Sequence, residues 1–200
     1  MGLSVQTCGA VILAGGASSR MGRSKALLKL ENETLVARLA RQLAAFDELI
    51  ISSNSEEPGR AVSGRLVPDI YPGLGPLAGL HGALSAAEKP YLLCVSCDLP
   101  FFTGRRAAEM LAAFPKGART LACAEPGGRI HPLCGIYAKA ALPVMERRLR
   151  QGQLRMRELL EELDWIRFPV QKGDMELMNV NTPEAYHEAL AIYKRTGKGT

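Results

Sequence analysis

Aromatic side chains are scarce in this chain, 6% of 200 residues with a single tryptophan. The cations gather in a loop near the start, in the 147–157 region and in the C-terminal tail, without the interleaved aromatic residues that stack on bases, so no nucleic-acid partner is expected. Long apolar runs are also missing. No uninterrupted stretch is long enough to span a bilayer, and residues 1–7 carry no cationic segment followed by an apolar one, so no membrane association is expected and the protein is placed in the cytoplasm. The five cysteines, at 8, 94, 97, 123 and 134, are odd in number and lack a framework spacing, which excludes a disulfide scaffold and suits reduced thiols. Cys94-Val-Ser-Cys97 has the CxxC spacing of zinc and redox sites, but no second pair exists and an offset of three on a strand sends the two side chains to opposite faces. Core cysteines are expected. No internal repeat is present, and only 196–200 looks frayed.

What is there suits one domain: 47% hydrophobic and 22% charged residues is the balance of an ordinary globular chain, long enough to bury a real core. The net charge of +5 and a pI near 9.1 point to an anionic partner. Arg147, Arg148, Arg150, Arg155 and Arg157 read either as a solvated helix face or as a docking patch for an anionic substrate or a partner protein.

The stretch 13–25, LAGGASSRMGRSK, follows an apolar run with the character of a buried strand. Gly15, Gly16 and Gly22 let backbone amides approach a bound anion, and Arg20, Arg23 and Lys25 add positive charge beside them. The P-loop pattern is excluded, since five residues separate Gly16 from Gly22 and Lys25 comes three residues after Gly22. The dinucleotide GxGxxG is excluded too, because the glycines are adjacent and then distant. A nucleotide phosphate loop of another kind remains, beside the plain alternative of a glycine-rich turn with surface cations.

Strand and helix signals alternate after it. Apolar periodicity predicts helices over 34–46, 77–87, 104–114, 141–150 and 156–163, and strands over 48–52, 64–67, 91–95, 120–124, 133–137 and 165–170. Thr182-Pro183-Glu184 opens a last helix to about 193. Such alternation predicts an α/β fold, a single doubly wound and mostly parallel sheet with helices on both faces. Ligands of such sheets sit at the carboxyl ends of the strands, where the first loop, Asp69 and Asp98 would share one crevice.

Asp98 comes directly after a strand and before Leu99-Pro100. It either closes a turn or holds a divalent metal against phosphate oxygens. Asn179 and Asn181, two apart on an extended segment, share one side and suit a metal shell or a second substrate. His131 is a candidate base or ligand, or simply a partner of a backbone group.

The LAGG start, the variable stretch, RMG and the following lysine resemble the signature loop of nucleotidyltransferases, and among them that of the MobA family of molybdenum cofactor guanylyltransferases. Gly75-Pro76-Leu77-Ala78-Gly79, Cys97-Asp98-Leu99-Pro100, His131-Pro132 and Asn179-Val180-Asn181-Thr182-Pro183-Glu184 are similar, in order, to further segments of that family, so the match runs from about 10 to 193. Two positions depart: Ser52 stands where relatives often carry asparagine, and RMGRSK lacks an aspartate many members have just before the lysine.

The resemblance implies a Rossmann-like nucleotidyltransferase fold that transfers GMP from GTP to molybdopterin and releases pyrophosphate, with Mg²⁺, or Mn²⁺ in its place, as cofactor. It assigns nucleotide contacts to Leu13, Ala14, Gly15, Gly16, Lys25, Ser52, Asp69, Gly75, Pro76, Leu77 and Asp98, and catalysis to Arg20, Lys25 and Asp98. His131, Asn179 and Asn181 would take the second substrate, and Asp98 with Asn181 the metal. Residues 8–103 would form the nucleotide part and 104–193 the pterin part, followed by a tail. Molybdenum-insertion proteins and apo-molybdoenzymes or their chaperones would be protein partners. A cytidylyltransferase using the same pterin, a sugar- or polyol-phosphate nucleotidyltransferase and a non-catalytic nucleotide- or RNA-binding module remain as rivals.

Overall fold

A computed structural model describes residues 2–15, 25–115 and 117–196. Among the described residues nine strands form in chain order: β1 (Cys8–Leu13), β2 (Lys29–Leu30), β3 (Glu33–Thr34), β4 (Leu49–Ser52), β5 (Arg65–Val67), β6 (Tyr91–Ser96), β7 (Thr120–Ala124), β8 (Ile130–Ala138) and β9 (Ile166–Pro169). The helices are α1 (Leu35–Gln42), α2 (Glu57–Arg60), α3 (Pro76–Ala86), α4 (Gly104–Ala113), α5 (Leu142–Arg150), α6 (Met156–Glu162) and α7 (Pro183–Thr196).

The main sheet has the order β5-β4-β1-β6-β8-β7-β9. All neighbours pair parallel except at β8, which runs antiparallel to both β6 and β7. Its central strands are near-continuous apolar runs because both faces are covered. Cys8, Ala10 and Ile12 of β1 point into a layer with Leu39 of α1 and Met110 of α4, while Val11 and Leu13 point into a layer with Leu80 of α3, Met145 of α5 and Leu160 of α6. Each of the fully buried Leu and Ile side chains in these layers is worth about 1.5–3 kcal/mol relative to exposure. A third cluster, with Leu30, Leu35, Phe101, Val180 and Tyr193, fastens α7 to the β2–β3 hairpin.

Side-chain caps set several helix starts. Thr34 accepts from the Ala37 N–H at 3.3 Å, Thr103 from Arg106 at 3.2 Å, and Thr182 from Ala185 at 3.2 Å. The helix expected over 34–46 ends at Gln42, yet Leu43 and Phe46 stay buried in the core through a turn, so the apolar stripe outlasts the helix that periodicity assigned to it. The β2–β3 hairpin lacked any sequence signal beyond Glu31-Asn32; Glu31 takes a left-handed φ of 55° there. All five cysteines are free and buried, and Cys94 and Cys97 lie in opposite layers. Among the described residues no helix is long and apolar enough to cross a membrane.

Candidate active site

Four parallel strands end in register along one edge of the sheet. Leu13 pairs with both Ser52 and Ser96, and Ser52 with Val67. Whatever the chain carries just past these positions is delivered to one crevice: Ala14 and Gly15 after β1, Ser53 and Asn54 after β4, Asp69 after β5 and Asp98 after β6. Because β8 runs the other way, its first residues arrive at that same edge. Val95 pairs with Cys134, which leaves His131 beside the turn after β6.

Asp98 sits in a turn closed by the Leu99 N–H on the Ser96 carbonyl at 3.2 Å, and the Cys97 N–H, donating to the Leu13 carbonyl at 3.1 Å, ties that turn to the end of β1. The Val180 N–H donates to the Asp98 carbonyl at 2.8 Å and so draws the 179–181 stretch against it. Asp98, His131, Asn179 and Asn181 line one cleft of about 230 Å³, together with Arg129, which is two-thirds exposed. Lys25 joins them: its Nζ donates to Asn181 Oδ1 at 2.6 Å.

Asp98 Oδ1 is buried without a hydrogen-bond partner among the described residues. Such an oxygen costs about 1–3 kcal/mol. The carboxylate of Asp98 and the amide oxygen of Asn181 are hard donors, so this part of the cleft fits a divalent cation that takes its remaining ligands from phosphate and water. No group of three or more His, Cys, Asp or Glu able to hold a metal occurs among the described residues.

His131 is buried, and its partner is a side chain, not the backbone group that was one expectation: Nε2 lies 2.8 Å from Glu125 Oε1. The His131 contact, with help from Arg129, holds the Glu125 carboxyl below the usual carboxylate range. Burial pushes the Cys97 thiol next to Asp98 up to about 12, so it takes no part as a nucleophile.

At the other end of the crevice Asp69 and Asn54 bond reciprocally. Asn54 Nδ2 donates to Asp69 Oδ2 and the Asp69 N–H donates to Asn54 Oδ1, both at 2.8 Å. Asn54 escaped the sequence reading, although it lies only two residues beyond Ser52, in the bend that follows β4. Ser52 is only 2% exposed and faces Gly79, where an added Cβ would stand 2.7 Å from its Oγ and 3.4 Å from Asp69 Oδ1. Gly75 starts α3 with φ of 73°, and Leu77 is fully buried, so the 75–77 turn can offer a ligand backbone groups only. The Ala14 N–H is taken by the Ser52 carbonyl at 2.9 Å.

Gly16, Arg20, Gly22 and Arg23 lie outside the described residues. The basic 147–157 region is paired internally: Arg148 is buried between Glu158 and Glu162, Arg147 meets Glu162, Arg150 meets Glu146, Arg155 meets Glu158, and Arg157 lies within 3.7 Å of Glu161. Arg147 and Arg148 bind α5 to α6, whereas Arg150, Arg155 and Arg157 pair locally and stay exposed. Sequence patterning gave Glu125 and Arg129 no role; the signal available was an acid at the end of one strand and a histidine at the start of its antiparallel partner.

A metal-competent carboxylate and a lysine at the carboxyl edge of a parallel sheet, with a glycine-rich loop opening from its central strand, define a nucleotide-handling α/β enzyme. Residues 10–166 match the sequence profile of the MobA-like NTP transferase domain, and the chain belongs to that family. It is 35% identical over 197 residues to the probable molybdenum cofactor guanylyltransferase of Pelotomaculum thermopropionicum, covering 94% of this chain and 95% of that one. It is 34% identical over 183 residues to the molybdenum cofactor guanylyltransferase of Pseudomonas paraeruginosa, covering 88% and 91% of the two chains. The fold is that of the molybdopterin-guanine dinucleotide biosynthesis protein A of Archaeoglobus fulgidus, with a TM-score of 0.78 at 23% identity over 94% of this chain and 99% of that one.

Proposed function

We infer that this protein is a molybdenum cofactor guanylyltransferase: it transfers GMP from GTP to the terminal phosphate of molybdenum-bearing molybdopterin, forming the guanine dinucleotide of the cofactor and pyrophosphate. The observation that carries the reading is the Asp98 oxygen, without a partner among the described residues, in a cleft lined also by Asn181, His131 and Arg129, with Lys25 bonded to Asn181.

An acceptor phosphate oxygen bonds to the α-phosphorus while the bond from that phosphorus to the bridging oxygen of the β-phosphate breaks, and pyrophosphate leaves with the electron pair. The nucleophile is already an anion at neutral pH, so no protein nucleophile is needed and the work of the chain is to position two anions and neutralise them. The loop after β1, with Arg20 and Lys25, is assigned the β- and γ-phosphates. Phosphate oxygens offer Lys25 charged acceptors in place of the neutral Asn181 amide, which then turns its oxygen to the metal side. Asp98 and Asn181 would hold Mg²⁺ or Mn²⁺, and that cation supplies charge neutralisation for the leaving pyrophosphate. Leu13, Ala14, Gly15, Gly16, Ser52, Asp69 and the 75–77 turn are assigned to the nucleoside, the base being read by backbone groups at the start of α3. His131, Asn179 and Asn181 are assigned to the pterin substrate, which divides the chain into a nucleotide part over 8–103 and a pterin part over 104–193. The cytoplasm is the proposed site of action, with molybdenum-insertion proteins and apo-molybdoenzymes or their chaperones as the proteins before and after it.

Product formation from molybdopterin with GTP and with CTP tests the reading. Guanine dinucleotide is expected; preference for CTP overturns the base assignment, and turnover of a sugar phosphate with none of the pterin overturns the acceptor.

A further inference from the structure

The proposed function uses His131 but leaves Glu125 without a task, and this carboxylate is oddly placed. It is one of the buried acids of the protein, its side chain only 7% exposed, in contact with the His131 and Arg129 that line a cleft meant for anions. A bare carboxylate there would repel them. Its Oε1, however, is covered by His131 Nε2 at 2.8 Å and faces Arg129 Nε at 3.7 Å, so what the wall presents outward is an imidazole and a guanidinium. The turn does not need the carboxylate for closure, because the Glu125 N–H already donates to the Arg129 carbonyl at 2.8 Å and the Gly128 N–H to the Glu125 carbonyl at 3.2 Å. The β7–β8 register also steps from Ala122–Gly135 to Cys123–His131, leaving Pro132, Leu133 and Cys134 out of that pairing and bringing His131 back beside the end of β7. An ionised carboxylate only accepts, so the bond requires a proton on Nε2; Nδ1 has no protein partner among the described residues and is not sealed from the cleft.

We propose that Glu125 is a positioning residue, which holds the His131 ring by Nε2 so that Nδ1 faces the cleft beside Arg129, and that the wall so formed receives the phosphate of the acceptor substrate in its singly protonated form, the Arg129 guanidinium donating to a phosphate oxygen and the bare Nδ1 accepting from the phosphate hydroxyl. The second clause rests on the guanylyltransferase reading; the first does not. The subsite takes a phosphate monoester.

Two measurements test it. With only three histidines in the chain, ¹⁵N spectra of labelled protein, assigned with the help of His131→Ala, read the tautomer of each ring. Neutral His131 is expected with a protonated Nε2 and a bare Nδ1 in the wild type, and as a mixture of tautomers in Glu125→Ala. In steady-state kinetics Glu125→Ala raises KM for molybdopterin about tenfold, the worth of one charge-assisted hydrogen bond, and leaves KM for GTP unchanged. Glu125→Gln, whose amide oxygen still accepts from Nε2, retains the wild-type tautomer and most of the acceptor affinity, and Glu125→Ala adds nothing on a His131→Ala background. An unchanged tautomer in Glu125→Ala, equal rises in both KM values, or additive losses in the double variant overturn the proposal. Should the wild type transfer no GMP to the pterin, the activity reading fails while the spectra still decide whether Glu125 orients the ring.

Discussion

Removing the Asp98 side chain should separate stability from activity. Oδ1 is buried with no partner, a cost of about 1–3 kcal/mol; since the residue is only half-buried and its other oxygen can meet water, the lower end applies, about 1 kcal/mol. Asp98→Ala deletes that cost and little packing. In a chain of this size about 1 kcal/mol moves Tm by about 2–4 °C, so the variant should melt at or slightly above the wild-type temperature. Its transfer rate should fall about 10³-fold, because charge neutralisation at the leaving group, worth roughly 4 kcal/mol, is lost. Calorimetric melts paired with release of labelled pyrophosphate from GTP measure both. A third reading links them: GTP and Mg²⁺ together at a hundred times Kd should stabilise the wild type by about 2.7 kcal/mol and the variant by much less. A Tm lowered by more than about 4 °C would mean that Asp98 is a structural turn residue. Turnover within tenfold of wild type would mean that the metal is held elsewhere.

Gly79→Ala puts a Cβ 2.7 Å from Ser52 Oγ. The same Cβ would stand 3.4 Å from Asp69 Oδ1, so KM for GTP should rise with a stability loss of about 1 kcal/mol, and Ser52→Ala in the same chain should restore the stability; no loss in the single variant refutes the close approach. Burial against Tyr71 and α5 pushes the His81 pKa down, Glu146 opposing it weakly, so the folded state keeps this ring neutral. The unfolded chain then binds the proton first: stability is full above about pH 6.5 and falls as pH drops towards the depressed folded value. Tyr71 and Arg150 hold Glu146 low, which adds a second loss below about pH 4.3. Tm against pH should show both steps, and His81→Leu should flatten the first while keeping the second; a flat wild-type profile between pH 7 and 5 refutes the assignment. Burial lifts the Cys8 and Cys97 thiols to about 12 and Cys94 further, so the native protein should resist a thiol-exchange reagent and expose five thiols only on denaturation. A Cys94–Cys97 disulfide under mild oxidation would contradict their placement in opposite layers.

Much of the site was legible because its residues stand at the ends of strands. An apolar run broken by LAGG, by Pro68-Asp69 or by Cys97-Asp98-Leu99-Pro100 marks in one dimension the edge that parallel pairing aligns in three, and the register Leu13 with Ser52 and Ser96 turns those separate breaks into one crevice. Glu125, Arg129 and Asn54 were not legible in the same way. Each matters through a partner six, four or fifteen residues distant, His131 for Glu125, Glu125 for Arg129 and Asp69 for Asn54, and no local periodicity encodes such a pairing. The arginines of 147–157 left two readings open for the related reason that charge is visible in a sequence while the pairing of Arg148 with Glu158 and Glu162 across two helices is not.

Hydrophobic alternation, capping residues and the placement of Gly and Pro thus settled the order of strands and helices, because these act over a few residues and follow from backbone sterics and burial alone. The reversed direction of β8, the union of Lys25 with Asn181 across 156 residues, and the unmatched oxygen of Asp98 were decided only by the tertiary structure. Those depend on which surfaces pack together, and that is a property of the whole core rather than of any segment in it.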